Sequence, residues 1–512
     1  MSGCASLPKP EADWNERPHL DTSRTAWARA LAGPMAEHEG LSGVQLIPYG
    51  LDALSARLAV ADTAERSLDV QYYIWKTDGA GRLLAEHLVE AADRGVKVRL
   101  LLDDVGGSTS DDLLLALDSH TNIEVRLFNP VANRLFRLAS SLSDFQRVNR
   151  RMHNKSFTAD KLVSIVGGRN IGDHYFASGE QEAHYADLDV IAAGPAGAEV
   201  SAMFDLYWFG SRTIPIRALD RTKLSQEQLV EAREMLMKTA KEISASDDFK
   251  GLAENSLGVA IRRREPGFMW GRTRLIYDLP EKVTVDRSDT KTHLLPKLRE
   301  LAEGAEQELF VVSPYFVPGD GGVKFFRSLR ARGTRVVVLA NSLASNDVTP
   351  VHAGYSQYRK ALLRDGVELF ELKPTAQVRR AAREHDNVRE KSSRSPGTGL
   401  HAKVFVFDRR RLFVGSFNLD PRSASLNTEM GLVIDIPGVA GPFAESLEKS
   451  FGENAYRLEF VPGPGQCKEC GSIAWVSQKS GEVTRYTHDP ETSFWRRLKV
   501  RCLRLLPIEE QL

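Results

Sequence analysis

The chain states one short pattern twice. His153-Asn154-Lys155, four residues and Asp160 are followed by Gly167-Gly168-Arg169-Asn170; His401-Ala402-Lys403, four residues and Asp408 are followed by Gly415-Ser416-Phe417-Asn418. The His-to-Asn distance is 17 residues in both copies. Two copies at one internal spacing restrict the chain to a duplicated unit, and 512 residues suffice for two hydrophobic cores.

The repeat reaches past the motifs. Leu68–Trp75 and Leu309–Phe316 read as buried strands. Each is followed by a helical pattern, Leu83 to Ala92 and Phe325 to Ala331, and then by a second apolar strand, Gly95–Asp103 and Gly333–Asn341. Ile123–Pro130 pairs in the same way with Val367–Pro374. The offset grows from 238 residues (Gly95 to Gly333) to 244 (Pro130 to Pro374) and 248 (His153 to His401), so insertions between the copies are few. Strands alternating with helices predict an α/β fold of two pseudo-symmetric lobes, each a mixed or parallel sheet flanked by helices. The predicted divisions are an N-terminal segment over 1–40, a first lobe over 41–211, a helical linker or insertion over 212–265, a second lobe over 266–455 and a C-terminal extension over 456–512. Residues 375–398 are rich in Arg, Glu and Ser without periodicity and read as a mobile loop beside the second motif.

Each His-x-Lys opens a short apolar run that reads as a hairpin ending in a Gly-Gly or Gly-Ser turn. On a strand, side chains two apart face the same way, so each His and Lys can aim at one phosphate. A phosphodiester is anionic, and Lys155 and Lys403 supply cations while Asn170 and Asn418 offer amide donors to non-bridging oxygens. One neutral imidazole can attack phosphorus; a second, protonated, can give its proton to the leaving alkoxide. Repulsion between two cationic rings favours that split. Each imidazole also needs a carboxylate to orient it. Glu429, 28 residues after His401, and Asp187, 34 after His153, stand at aligned places in their own halves, with Asp189 competing for the second role. Asp160 and Asp408 read as structural, capping the turn or pairing with a neighbouring base. The chemistry calls for no metal and no cofactor.

The segments LDVQYYIW, RRMHNKSFTAD, GGRNIGDHYF, NSLASNDV, VHAGY, GVELFELKP, GLHAK and GSFNLDPRSASLNTEMG resemble the phospholipase D superfamily. Within it the chain is similar to the bacterial cardiolipin synthase C group, from about residue 45 onward. The resemblance implies two phospholipase D-like lobes sharing one active-site cleft, with His153 as nucleophile and His401 as acid. It also implies phosphatidyl transfer through a phosphohistidine, making cardiolipin from phosphatidylglycerol and a second phospholipid, phosphatidylglycerol or phosphatidylethanolamine. Water as acceptor would instead make a phospholipase D hydrolase that releases phosphatidic acid. A phosphodiesterase acting on nucleic acid is the more distant alternative, because 68 basic and 68 acidic residues cancel where a nucleic-acid binder usually has a basic excess. An accessory protein and the oligomeric state are left open.

Membrane contact is the second theme. Thr492 to Leu506 predicts a helix with Phe494, Trp495, Leu498, Cys502, Leu505 and Leu506 on one face and Arg496, Arg497, Lys499, Arg501 and Arg504 mostly on the rest. Trp495, Arg496 and Arg497 are the candidate membrane-binding residues; docking of the helix on the body by that same apolar face is the alternative. Asn133 to Arg151, basic and apolar in turn, reads either as a headgroup-binding rim or as a helix with one buried face. Arg151 and Arg169 are the candidate substrate-binding residues. No apolar run reaches the ~18 residues of a membrane-spanning helix. Met1-Ser2-Gly3-Cys4 resembles the end of a bacterial lipoprotein signal, so the expected place is the membrane of a bacterial cell envelope. Lipid anchoring through Cys4 would require an upstream signal, and an accidental match is the other reading. Cys467-Lys468-Glu469-Cys470 lacks the second pair that zinc wants, which leaves a local disulfide or free thiols.

Overall fold

A computed structural model describes residues 7–8, 14, 20–104, 110–132, 134, 144–176, 185–219, 224–246, 249, 251–375, 399–463, 471–479, 481–506 and 509–511. It divides into two compact units, and the division does not follow the chain. The first comprises Met1–Glu180, Asp189–His293 and Leu426–Leu432; the second comprises Gln181–Leu188, Leu294–Ser425 and Val433–Leu512. Each unit therefore holds a short segment from the other half of the sequence.

In chain order the first strands are β1 (Ser42–Ile47), β2 (Ser67–Tyr72), β3 (Lys97–Asp103), β4 (Ile123–Phe128), β5 (Ser156–Ala159), β6 (Val163–Gly167), β7 (Tyr185–Ala186), β8 (Asp189–Ala193), β9 (Thr213–Pro215) and β10 (Met269–Tyr277). All but β7 form the sheet of the first unit in the order β10-β1-β8-β6-β5-β2-β3-β4-β9, parallel across β2-β3-β4 and antiparallel elsewhere. There follow β11 (Glu308–Val312), β12 (Arg335–Asn341), β13 (Glu368–Leu372), β14 (Gly399–Leu400), β15 (Val404–Phe407), β16 (Arg411–Gly415), β17 (Met430–Asp435), β18 (Ala455–Val461), β19 (Ser472–Lys479) and β20 (Glu482–Tyr486). The second unit's sheet runs β16-β15-β11-β12-β13-β18-β19-β20, again parallel only at its centre, across β11-β12-β13. The duplicated mixed sheet expected from the sequence is present.

Local chemistry explains why the same elements form twice. The central parallel strands are buried on both faces, which suits their nearly unbroken apolar runs, such as Val336 to Ala340. The crossover helices Gly79–Asp93 and Gly319–Ala331 each stop two residues before a glycine in left-handed backbone, Gly95 at φ +92° and Gly333 at φ +89°. Behind each glycine a backbone N–H closes on the helix, Val96 to the Ala91 carbonyl and Thr334 to that of Leu329, both at 3.1 Å. The hairpins β5–β6 and β15–β16 turn through two successive positive-φ residues, Asp160 and Lys161 at +49° and +57°, Asp408 and Arg409 at +53° each. That is the mirror-image turn whose twist matches the strands it joins.

The stretch read as a linker or helical insertion is helical and packed where it is described. Its helix Gln226–Ser244 buries Leu236 and Ala240, and Arg233 donates to the Ser119 hydroxyl at 3.1 Å. Ser256–Arg262 lies against the helix Gly50–Thr63, where a Cβ on Gly258 would stand 2.1 Å from the Ser55 hydroxyl. β18 pairs directly with β13 and carries the sheet on into β19 and β20. Cys4, Cys467, Cys470, Arg137 and 376–398 lie outside the described residues. Among the described residues, no helix is long and apolar enough to cross a membrane.

Candidate active site

The two His-x-Lys segments precede their strands instead of lying on them, since β5 begins at Ser156 and β15 at Val404. What holds each segment extended is a strand-like bridge to the exchanged segment. In the first unit the His153 N–H donates to the Thr428 carbonyl and the Thr428 N–H to the Arg151 carbonyl, both at 2.9 Å. In the second unit β14 pairs parallel with β7, and the His401 N–H donates to the Ala186 carbonyl at 2.8 Å. One residue beyond each bridge stands a carboxylate. His153 Nδ1 lies 2.9 Å from Glu429 Oε2, and His401 Nδ1 lies 2.6 Å from Asp187 Oδ2.

This corrects the pairing expected from the sequence. Glu429 serves His153 and Asp187 serves His401, each from the opposite half of the chain. The physical reason is the exchange of the segments just ahead of β8 and β17, which bond to the other half's histidine before rejoining their own. Asp189, the competing residue, starts β8 two residues later and is engaged elsewhere. It is buried in ion pairs with Arg57 at 2.9 Å and Arg169 at 3.3 Å.

Both imidazoles are nearly enclosed, at 8% exposure each, and the carboxylate side chains beside them are fully buried. An ionised carboxylate only accepts, so each Nδ1 carries a hydrogen and Nε2 becomes the nitrogen available for chemistry. Lys155 and Lys403 are buried, and each ammonium donates to the carbonyl of its own histidine. Lys403 Nζ is also 3.3 Å from His401 Nδ1. An aromatic ring flanks each imidazole: Tyr73 edge-on to His153 at 5.0 Å between centroids, and Tyr185 tilted to His401 at 5.3 Å. The Tyr73 ring also lies 5.7 Å from the Lys155 ammonium.

The motif asparagines differ. Asn170 Oδ1 accepts the Ile74 N–H at 3.2 Å and its Nδ2 donates to the Tyr175 hydroxyl at 3.0 Å, so that amide braces the loop after β2. Asn418 Oδ1 is buried with no hydrogen-bond partner among the described residues. Asp160 accepts the backbone N–H groups of Glu65, Arg66 and Ser67 at 3.2, 2.7 and 3.1 Å; Asp408 does the same for Glu306, Gln307 and Glu308 at 3.0, 2.8 and 2.9 Å. Each thus staples its hairpin turn to the entrance of the unit's first parallel strand. Burial pushes the Asp160 carboxyl up, and the three donors pull against it.

Neither arginine proposed for substrate is placed for it. Arg151 is buried against Asp103 at 3.2 Å and the Asn129 carbonyl at 2.8 Å. Arg169 is buried against Asp189 and the carbonyls of Ile47, Pro48 and Tyr175. An arginine next to a His-Lys motif looks like an anion binder in sequence, but these two hold loops from below. In the suggested rim, Arg134 pairs with Asp104 and Asp111, and Arg147 donates to Asn129 and Pro130.

The terminal helix, Phe494–Leu503, meets neither sequence expectation in full. It does not dock by the Trp495 face. Val500, with Leu503 beside it, packs on Leu343 and Ala353, and Arg496 donates to the Asn346 carbonyl at 2.8 Å. Arg497 turns back to the Thr492 carbonyl, so only Trp495 of the three candidate membrane residues points fully outward.

Sequence reasoning also missed a buried support under the first site. Glu429 N–H donates to Asp278 Oδ2 at 2.7 Å, the Asp278 N–H returns to the Glu429 carbonyl at 2.9 Å, and Lys282 pairs with Asp278 at 3.0 Å with both side chains fully buried. No local pattern announces it, because Asp278 and Glu429 are 151 residues apart. Tyr73 did carry a signal: it lies in the apolar segment Leu68–Trp75 that the repeat singles out.

Comparison with known proteins agrees with this construction. The profile of the cardiolipin synthase, PLD-like domain matches residues 58–208 and 298–454, one copy in each half. Cardiolipin synthase C of Escherichia coli (strain K12) is 40% identical over 493 residues, covering 94% of this chain and 98% of that protein. An uncharacterized protein of Helicobacter pylori (strain J99) is 30% identical across 100% of this chain and 97% of its own length. Among solved structures, the phosphatidylserine synthase of Haemophilus influenzae Rd KW20 superimposes with a TM-score of 0.53 at 14% identity, over 85% of this chain and 92% of that one, which is a likeness of fold.

Proposed function

The chain belongs to the cardiolipin synthase family of phospholipase D-like proteins, and from that membership we propose that it joins two phospholipids into cardiolipin through a phosphohistidine on His153. Phosphatidyl transfer is the family's chemistry; the intermediate and the lipids are our reading. The observation that carries it is the pair of His–carboxylate dyads, one per unit, each with a buried lysine two residues on.

In this reading both imidazoles act on one phosphate. His153 Nε2 gives its lone pair to phosphorus, and the P–O bond to the headgroup breaks. His401 gives its Nε2 proton to the departing oxygen and is left neutral. Glu429 stabilises the charge that develops on His153, and Asp187 holds His401 in the orientation for transfer. A glycerol hydroxyl of phosphatidylglycerol then loses its proton to His401 and attacks phosphorus. The P–N bond breaks and both rings return to their starting states. Lys155 and Lys403 offset the charge on the non-bridging oxygens. Phosphatidylglycerol or phosphatidylethanolamine serves as donor.

The test uses purified protein in vesicles of phosphatidylglycerol, with and without phosphatidylethanolamine, with products read by mass spectrometry. Cardiolipin is expected from the wild type and should fall at least about a thousandfold in His153→Ala and in His401→Ala. Headgroup labelling names the donor. Phosphatidic acid without cardiolipin would overturn the transferase reading in favour of hydrolysis.

A further inference from the structure

The terminal helix leaves its apolar face in solvent. Of eleven large hydrophobic side chains exposed among the described residues, five fall within residues 494–506: Phe494, Trp495, Leu498, Leu505 and Leu506. Trp495 is 74% exposed and Leu505 84%. At about 100° per residue Phe494, Trp495, Leu498 and Cys502 span an arc of roughly 100° on the helix, and Leu505 and Leu506 follow in the turn beyond its end. Val500 and Leu503, which pack on the body, lie outside that arc. The helix is thus amphipathic twice over, with one apolar edge used for packing and another left uncovered.

The charges around the uncovered edge decide what covers it. Residues 494–504 contain Arg496, Arg497, Lys499, Arg501 and Arg504 and no acidic residue, in a chain whose 68 basic and 68 acidic residues cancel as a whole. Lys499 and Arg501 are exposed and stand at the two borders of the apolar arc. We propose that this face inserts Phe494, Trp495, Leu498 and Leu505 into an anionic lipid surface, with Lys499 and Arg501 at the phosphate level. A protein partner of ordinary composition would have to match a cationic rim around an aromatic centre; an anionic bilayer supplies both complements at once.

The face is also wired to one half-site within its own unit. Arg496 holds the Asn346 carbonyl. The next residue, Asp347, accepts the hydroxyls of Tyr185 at 3.1 Å and Tyr315 at 3.2 Å, and Tyr185 is the ring beside His401. The helix is thus linked through Arg496, the Asn346–Asp347 segment and Tyr185 to the ring beside His401.

The experiment is vesicle co-sedimentation of the full chain, which needs no turnover and so stands or falls apart from the reaction proposed above. Mixed phosphatidylglycerol–phosphatidylcholine vesicles are compared with pure phosphatidylcholine, at low and high salt. Two variants are used, Trp495→Gln/Leu505→Gln and Lys499→Glu/Arg501→Glu, both changing exposed side chains and expected to melt with the wild type. The expected result is binding to the anionic vesicles that falls at least about tenfold in either variant, with high salt mimicking the second. Variants that bind as the wild type does would overturn the proposal. So would a concentration-dependent dimer abolished by the first variant, which would make a second copy the occupant.

Discussion

The two half-sites share a plan and differ in how firmly they are held. Around His153 the carboxylate donor segment is locked from beneath by the reciprocal bonds between Glu429 and Asp278 and by the buried Asp278–Lys282 pair, while Asn170 is tied on both sides of its amide. Around His401 the carboxylate turns to its own following N–H, Leu188 to Asp187 Oδ1 at 2.8 Å, the flanking Tyr185 reaches exposed Asp347, and Asn418 keeps an unpaired buried carbonyl. The lesson is one of division of labour. A nucleophile must be held in line with phosphorus, which rewards a rigid base. A group that gives a proton to one alcohol and takes it from another has to serve two oxygens in turn.

The strongest way to break this contrast is to neutralise each carboxylate. Glu429→Gln and Asp187→Asn are each expected to lower kcat by roughly 10²- to 10⁴-fold. They should differ with a donor whose leaving group needs no proton, such as a nitrophenyl phosphodiester: Asp187→Asn and His401→Ala should recover bond cleavage, and Glu429→Gln should not. Recovery by Glu429→Gln instead would mean the carboxylates serve the rings of their own halves.

Lys282→Met tests the support under the first site. It leaves Asp278 as a buried carboxylate without its ammonium and should cost about 3–5 kcal/mol, read in denaturant unfolding. Any activity that survives should fail like Glu429→Gln rather than like Asp187→Asn.

The smallest expected difference lies between the two staples. Asp160→Ala removes a buried acceptor and strands the buried Ser67 N–H together with the part-buried N–H groups of Glu65 and Arg66, and should cost about 2–3 kcal/mol. Asp408→Ala should cost nearer ~1 kcal/mol, because Asp408 is only half-buried and water can reach the N–H groups of Glu306 and Gln307. Equal losses would remove that asymmetry.

What could be read from the sequence was whatever is decided within a few dozen residues. The six repeated strands and the hairpins at Asp160 and Asp408 follow from periodicity and turn chemistry. The partners of the histidines do not, because they lie 276 and 214 residues away and are chosen by a segment exchange that no local pattern records. Arg151 and Arg169 misled for a related reason: sequence shows a charge beside a motif but not the carbonyls that surround it. The terminal helix falls between these cases, its amphipathic pattern legible and its docking edge not.

The exchanged segments also bear on how the protein is born. A chain still emerging from the ribosome with only its first half made carries His153 but lacks Glu429, and carries Asp187 with no ring to serve. Closing the first dyad means joining points 276 residues apart, which synthesis permits only after Glu429 has been made. A half-made product is thus left without either dyad, and the proposed lipid-cleaving centre comes into being only once both halves of the chain are there to complete it.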